Sequence, residues 1–440
     1  MNSFITGNNL RKTLGRGNPR VAPTQGALLG AVFFLMPAFA TDVVITSEQK
    51  GAESIALGYV EFPCVSGNPK AVAYHPGAVL TDDLNFSGRF KVKGVPKLDS
   101  LAKAGFKDSG ALAYLQGEYS LEGDKYSLYC ELLDIETGEK IIKKKYSGPK
   151  DQLRQASHQF ADEMVSQLFG EKGIAQTRFV YVNKRPGGKE ILVMDYDGAN
   201  VHEVSRNKSI NLCPIFLGSK DKALYTSYAV GVPQFFQADM LSNKITQAYA
   251  SKRGMSSSPS YNKTDKEIAY ASTMDGNSEI YRRPVDGGKA SRLTFADGID
   301  TSPSWSPNGY EIVFMSDRSG KPMLYIMDRD GSNLRRLTYD LDYCGSPAWS
   351  PKGDRIAFAA MDEGNNLNIH TITPDGKSLS KLTTGSGSNE SPTWSPDGRH
   401  IAFMSTRTGS PEIFVIANDG RDPRRISHTG GNSMPSWSNY

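Results

Sequence analysis

The stretch that decides the fold runs from Ser302 to Thr338, "SPSWSPNGYEIVFMSDRSGKPMLYIMDRDGSNLRRLT". It returns from Ser346 as "SPAWSPKGDRIAFAAMDEGNNLNIHTITPDGKSLSKLT" and from Ser391 as "SPTWSPDGRHIAFMSTRTGSPEIFVIANDGRDPRRIS". Working outward, the prolines that open such units stand at Pro214, Pro259, Pro303, Pro347, Pro392 and Pro435, at intervals of 45, 44, 44, 45 and 43 residues. A period this regular marks a repeat architecture. Two residues after each proline comes an aromatic, Phe216, Tyr261, Trp305, Trp349, Trp394 and Trp437, so all four tryptophans of the chain share one position of the unit.

Each complete unit continues with a turn signal such as Asn308-Gly309 or Asp397-Gly398, two apolar runs, a second Asp-Gly turn, and a polar closing segment ending in RLT, KLT or RIS. Gly-containing turns between β-rich runs read as hairpins, so a unit is four antiparallel strands, the pattern of a propeller blade. The first apolar runs begin at Phe179, Ala223, Ile268, Ile312, Ile356 and Ile401, which makes six blades over residues 173–440. The unit at Phe179 lacks its Pro-aromatic strand, whereas the segment from Met434 to Tyr440 is that strand and nothing more. The C-terminal strand is thus expected to close the first blade and abolish the open edge. An open β-solenoid is the alternative, and it gives no reason for a split unit. The tryptophans then belong to inner strands and to the core between blades.

Residues 41–172 carry no copy of the repeat and read as an α+β domain. "ESIALGYVEFP" predicts a strand, the stretch around "AVLTDDLNFSGRF" a helix ending at Gly88, and the runs flanking Gly123-Asp124 a strand pair. In "KDQLRQASHQFADEMVSQLFG", Leu153, Ala156, Phe160, Met164, Val165 and Leu168 fall on one helical stripe closed by Gly170.

The first forty residues hold Arg11, Lys12, Arg16 and Arg20, no acid, and then "ALLGAVFFLMPAFA". This order reads as a secretory signal at residues 1–40, cleaved after Ala40. The run is too short for a membrane span and contains Pro37, so the chain is not expected to be membrane-embedded. Of 51 cations against 47 acids, those four account for the whole excess, and nucleic acid loses its support as a partner. Export permits disulfides. Cys64 and Cys130 lie in one domain and either pair or stay buried thiols, while Cys213 and Cys344 lie far apart and no C-x-x-C motif is present.

With the junction string "ADEMVSQLFGEKGIAQTRFVYV" from Ala161 to Val182 and the SPxWSPDG-type blades, residues 41–440 resemble the TolB family of the Tol-Pal system. The resemblance implies a non-catalytic periplasmic scaffold with no cofactor. It implies two partners, a Pal-type peptidoglycan-associated lipoprotein at the propeller mouth and a TolA-type inner-membrane protein at the start of the exported chain, with a role in constriction of the envelope during division. Carried onto this sequence, the Pal-like site is Met255, Ser257, Ser258, Asp300, Thr301, Tyr343, Cys344, Asn389 and Glu390, in the loops that lead into the inner strands. The TolA-like segment is 41–52, with Thr41, Asp42, Val43, Val44, Ile45 and Thr46 at its start. Gln49 and Lys50 depart from the acidic, glycine-rich continuation of the family pattern.

The competing class is an exported propeller enzyme acting on polysaccharide or peptide. A gated peptidase needs a G-x-S-x-G elbow, and the nearest string, Gly431-Asn432-Ser433, runs into Met434-Pro435. His75, His158, His202, His370, His400 and His428 scatter outside the Pro-aromatic strands, so no catalytic or metal set is signalled there. Asp300 and Glu390 are weighed as Ca²⁺ ligands at the channel mouth against loop acids that meet solvent or a partner.

Overall fold

The computed structural model describes residues 54–440 apart from 250–252, 362–365 and 386. The expected signal with its Ala40 cleavage site, and the segment from Thr41 to Ala52, lie outside the described residues.

Ahead of the propeller stands one mixed sheet. Strands β1 (Ile55–Val60), β3 (Phe90–Val95), β4 (Ala113–Glu122), β5 (Lys125–Asp134) and β6 (Lys140–Pro149) lie in the order β3-β1-β4-β5-β6, and β2 (Cys64–Ser66) pairs beside β4. β1 is parallel to both of its neighbours, and β4, β5 and β6 form an antiparallel meander. Helices α1 (Pro76–Phe86) and α3 (Leu153–Phe169) cover one face, where Leu80, Leu84, Phe160 and Met164 meet Leu115, Leu128 and Leu132. The stripe predicted for α3 is its buried face, and Gly170 caps the helix in the left-handed region at φ 69°. Helix α2 (Ser100–Asp108) covers the other face through Phe106, whose ring lies 2.6 Å from where a Cβ on Gly58 would stand, so β1 needs glycine there.

Four of these elements, β2, β3, α2 and β6, escaped the sequence reading. β3 and α2 carry weak patterns, and β6 reads "KIIKKKYSGP", polar because it is the edge strand, where lysines discourage pairing with another chain. The turn at Thr137-Gly138 divides what the sequence presents as one long strand into β5 and β6. All four cysteines are free thiols, so the Cys64–Cys130 pairing is not made; Cys130 is the buried thiol of the alternative reading, whereas Cys64 is only partly buried. Burial pushes the Cys130 thiol well above its ordinary range.

The propeller has six four-stranded antiparallel sheets. Blade 1 takes its inner strand, Asn432–Trp437, from the C-terminus and pairs it with Arg178–Arg185, as the split repeat predicts. Blades 2 to 6 begin with inner strands Asn211–Phe216, Ser256–Asn262, Asp300–Trp305, Cys344–Trp349 and Asn389–Trp394. The RLT-type endings have a mechanical role. The hydroxyls of Ser205, Thr294, Thr338, Thr383 and Ser427 each accept the N–H of a third-strand residue at 2.8–2.9 Å, clasping the short outer strand to its blade. One apolar cluster runs from the sheet and its helices into blades 1 and 6 through Phe179, Tyr196, Ile413 and Trp437, so the two parts share a core.

Candidate functional site

Strand alternation is the starting point. In four of the six inner strands the first, fourth and sixth positions are buried and the second, third and fifth partly open, while Gly345 is buried at the second position of blade 5 and Tyr261 partly open at the sixth of blade 3. The open positions of six blades converge on a central tunnel of about 590 Å³ lined by the Ser-Pro-x-aromatic segments.

Each inner strand is broken at its third position. Cys213, Ser258, Ser302, Ser346, Ser391 and Met434 all have φ between 49° and 53°, and the ladder register shifts across each of them. Proline follows every one and has no N–H to donate, so the bulge falls where the ladder would be interrupted in any case. A left-handed non-glycine residue costs about 1–3 kcal/mol. Six repetitions show that closing the ring compensates for it. Deeper in, the hydroxyls of Ser260, Ser304 and Thr393 accept the backbone N–H of Trp305, Trp349 and Trp437 in the next blade, at 3.2, 3.0 and 3.3 Å. The tryptophans themselves are buried, in keeping with a core role.

The two ends of the ring differ. On one, the α/β layer is anchored. Glu171 bridges Arg89 and Arg399, Phe86 stacks on His400 at 4.7 Å, Lys220 donates to the carbonyl of Gln176, and Tyr440 donates to that of Lys172. The arginines hold the Glu171 carboxyl below its ordinary range. Also at this joint, Asp83, His158 and Asp197 come close enough to hold a metal ion. His158 Nδ1 lies 2.7 Å from Asp83 and Nε2 3.9 Å from Asp197, but the Tyr196 hydroxyl donates to Asp83 and the Arg154 guanidinium to Asp197. With a guanidinium already on one carboxylate, the cluster acts as a buried ion-pair joint between α1, α3 and blade 1.

The opposite end carries the loops that feed the inner strands, together with those joining second to third strands. The sequence-predicted mouth residues lie here, and burial divides them. Met255, Ser257, Ser258, Thr301, Tyr343 and Glu390 are exposed or partly open, whereas Asp300, Cys344 and Asn389 occupy the first strand position and are fully buried. This corrects the expectation of direct contact for the last three, because the strand turns them between blades. Asp300 takes a 2.6 Å ion pair from Arg318, and burial raises its carboxyl above the ordinary range. Asn389 accepts from Arg407 at 2.9 Å, and Cys344 sits in an apolar cluster with its thiol pushed up to about 11 by burial. Asp300 and Glu390 therefore point to different sides of their strands and do not converge as a Ca²⁺ site.

An apolar rim on the same face was missed by the sequence reading. Phe295 is 75% and Tyr339 60% exposed, and Tyr228, Val230, Val232 and Ile299 are exposed around them. Arg292 and Arg336 lie over the rings of Phe295 and Tyr339 at 4.6 and 4.8 Å. The signal was present, since "RLTF" and "RLTY" put an aromatic where the other units end in a polar residue. Exposed apolar side chains from the loops of three successive blades are thus gathered on this end of the ring.

Comparison with known proteins follows the same lines. A family model described as the TolB beta propeller domain matches residues 165–344 and 340–440. The TolB homolog of Chlorobium chlorochromatii is 35% identical over 273 residues, 60% of this chain and 61% of that one. The Tol-Pal system protein TolB of Desulfosudis oleivorans is 33% identical over 61% of this chain and 65% of its own. These two alignments thus span less than two thirds of the relatives' length, whereas that with the TolB homolog of Chlorobium luteolum, at 32% identity, covers 90% of this chain and 92% of the relative. Among solved structures, TolB from Acinetobacter baumannii superposes with a TM-score of 0.75 at 22% identity, covering 88% of this chain and 98% of that one.

Proposed function

The chain belongs to the TolB β-propeller family, and from that premise we propose that it is a periplasmic, non-catalytic scaffold of a Tol-Pal system, binding a Pal-type lipoprotein at the open mouth of its propeller. The observation that carries the proposal is the asymmetry of the ring. One face is occupied by the α/β layer, and the other presents the tunnel mouth inside an apolar rim. A convex partner seated there buries Phe295 and Tyr339 while Thr301 and Ser257 meet whatever enters the tunnel. Affinity concentrates in a few aromatic anchors that the partner buries.

In this reading the exported segment 41–52 is the TolA-type contact. The names of the relatives, as Tol-Pal system proteins, support the system. Coupling of the inner membrane to the outer membrane and peptidoglycan during division follows from the two partners together.

The test is titration of the protein with the soluble ectodomain of a Pal-type lipoprotein. Thr301→Arg, which places a long cation in the tunnel, and Phe295→Asp, which breaks the rim, are each expected to weaken binding by tenfold or more while thermal unfolding stays unchanged. Equal binding in both variants refutes the mouth as the site.

A further inference from the structure

The second position of the inner strand, Leu212, Ser257, Thr301, Gly345, Glu390 and Ser433, stands one residue ahead of the segments that line the tunnel, on the side of the feeding loops. Five of the six are uncharged. Glu390 is the single ionisable group among them, it is half-buried, and among the described residues nothing neutralises it, burial alone raising its carboxyl above the ordinary range. A carboxylate only partly open to water and without a counter-charge is open to a cation from outside the chain. Elsewhere on this face the counter-charge comes from within the chain, as Arg318 supplies it to Asp300.

The neighbouring cation does not serve. Arg407 of the same blade is turned between blades, donating to Asn389 and Ser405 and lying over Phe403 and Phe414. In the adjacent blade the equivalent position is Gly345, and the reason is steric. A Cβ there would stand 2.4 Å from the hydroxyl of Tyr343, whose phenol fills the space a side chain would take. Tyr343 is half-buried, and burial together with the charge of Glu390 raises its hydroxyl. The ring that fills the Gly345 position and the Glu390 carboxylate thus belong to equivalent positions of two adjacent inner strands that pack on each other. That pairing is the chemistry by which proteins hold an organic cation, the carboxylate supplying charge and the ring its negative face.

We propose that Tyr343 and Glu390 form a receptor for one cationic side chain, a lysine ammonium or an arginine guanidinium, presented by the partner that docks on the mouth. The inference rests on the mouth being a docking face and names the chemical group read there. Glu390 sets specificity for a basic anchor. Gly345 and Tyr343 shape the receptor, and the hydroxyls of Ser257, Thr301 and Ser433 complete a polar ring around the entering chain.

The experiment has two arms. In the first, the protein and its variants Glu390→Gln, Tyr343→Leu and Thr301→Arg are titrated with a Pal-type ectodomain. In the second, the Tyr343 ring signals are followed by NMR as Nα-acetyl-lysine amide or its uncharged counterpart, Nα-acetyl-norleucine amide, is added. Glu390→Gln should weaken the ectodomain by about 30-fold or more and Tyr343→Leu by about fivefold or more. The lysine probe, and not the norleucine probe, should shift Tyr343, and Glu390→Gln should abolish the shift. Ectodomain binding that Thr301→Arg destroys but Glu390→Gln leaves equal overturns the receptor and keeps the docking face. A protein that binds no ectodomain yet shows the Glu390-dependent lysine shift keeps the receptor and overturns the partner, and one that shows neither overturns both.

Discussion

Replacing Trp437 by alanine tests whether the ring is held by its C-terminal strand. The side chain is 6% exposed, lies 4.4 Å from the ring of Phe179 and 6.5 Å from that of Phe86, and donates from Nε1 to the Thr177 hydroxyl at 2.8 Å. A buried tryptophan covers about 150–250 Å², which at about 25 cal/mol per Å² corresponds to about 4–6 kcal/mol. Alanine retains the Cβ, and the Thr177 hydroxyl keeps its own bond to the Ile174 carbonyl, so no donor is orphaned. The expected loss is then about 3–5 kcal/mol. Trp349→Ala, at the same position of an unsplit blade, is the control and should cost less, because only Trp437 also packs against helix α1 through Phe86. The assay is urea unfolding followed by far-UV circular dichroism. Since blades 1 and 6 share a core with the α/β layer, one transition moving to lower urea at unchanged slope is expected. A loss for Trp437→Ala below about 1 kcal/mol, or no greater than for Trp349→Ala, refutes the closing role.

The remaining predictions concern the joint, the bulges and the mouth. Burial alone would lower the imidazole of His158, but the hydrogen bond and charge of Asp83, with Asp197, outweigh it and raise it above its ordinary value of 6.5. The native state thus keeps this proton to higher pH than the unfolded chain, and the stabilisation is complete below the ordinary value and fades as pH rises through the native one. The unfolding free energy lost in His158→Gln should therefore be larger at about pH 6 than at about pH 9, and a gap that is constant or widens with pH contradicts the ion pair. Ser346, at φ 50°, should tolerate glycine, whereas Ser346→Val is expected to cost about 1–3 kcal/mol in urea unfolding, because a β-branched residue resists that conformation. Gly345→Ala should displace the Tyr343 ring, seen as a changed tyrosine NMR signal, and weaken lysine-probe binding while leaving the unfolding midpoint nearly unmoved.

How much of this was legible follows from which signals are local. The period of the prolines and aromatics disclosed the blades and their number, and the missing strand at Phe179 against the surplus strand at Met434 disclosed the closure. Helix α3 was readable because its apolar stripe and Gly170 cap are both local. β6 was not, since an edge strand selects lysines against aggregation and so imitates a loop. At the mouth, the sequence reading assigned Asp300, Cys344 and Asn389 to the surface of the loops that feed the inner strands, and the structure buries all three. Only the alternation of a strand within the ring, interrupted by a bulge at the third position, shows which of two adjacent residues faces the tunnel and which the next blade.

The sequence by itself determined what repeats: six units of one blade pattern, the residue type at each repeated position, and a chain whose end completes its beginning. Those are properties of short segments whose periodicity and turn chemistry do not depend on distant partners. The tertiary structure alone decided what differs between equivalent positions. It buried Asp300 against Arg318 and left Glu390 without a counter-ion among the described residues, it folded Tyr343 over Gly345, and it placed the α/β layer on one face so that the other stayed open. The physical reason is that burial and charge compensation depend on residues brought together from separate blades, and no local pattern records those meetings.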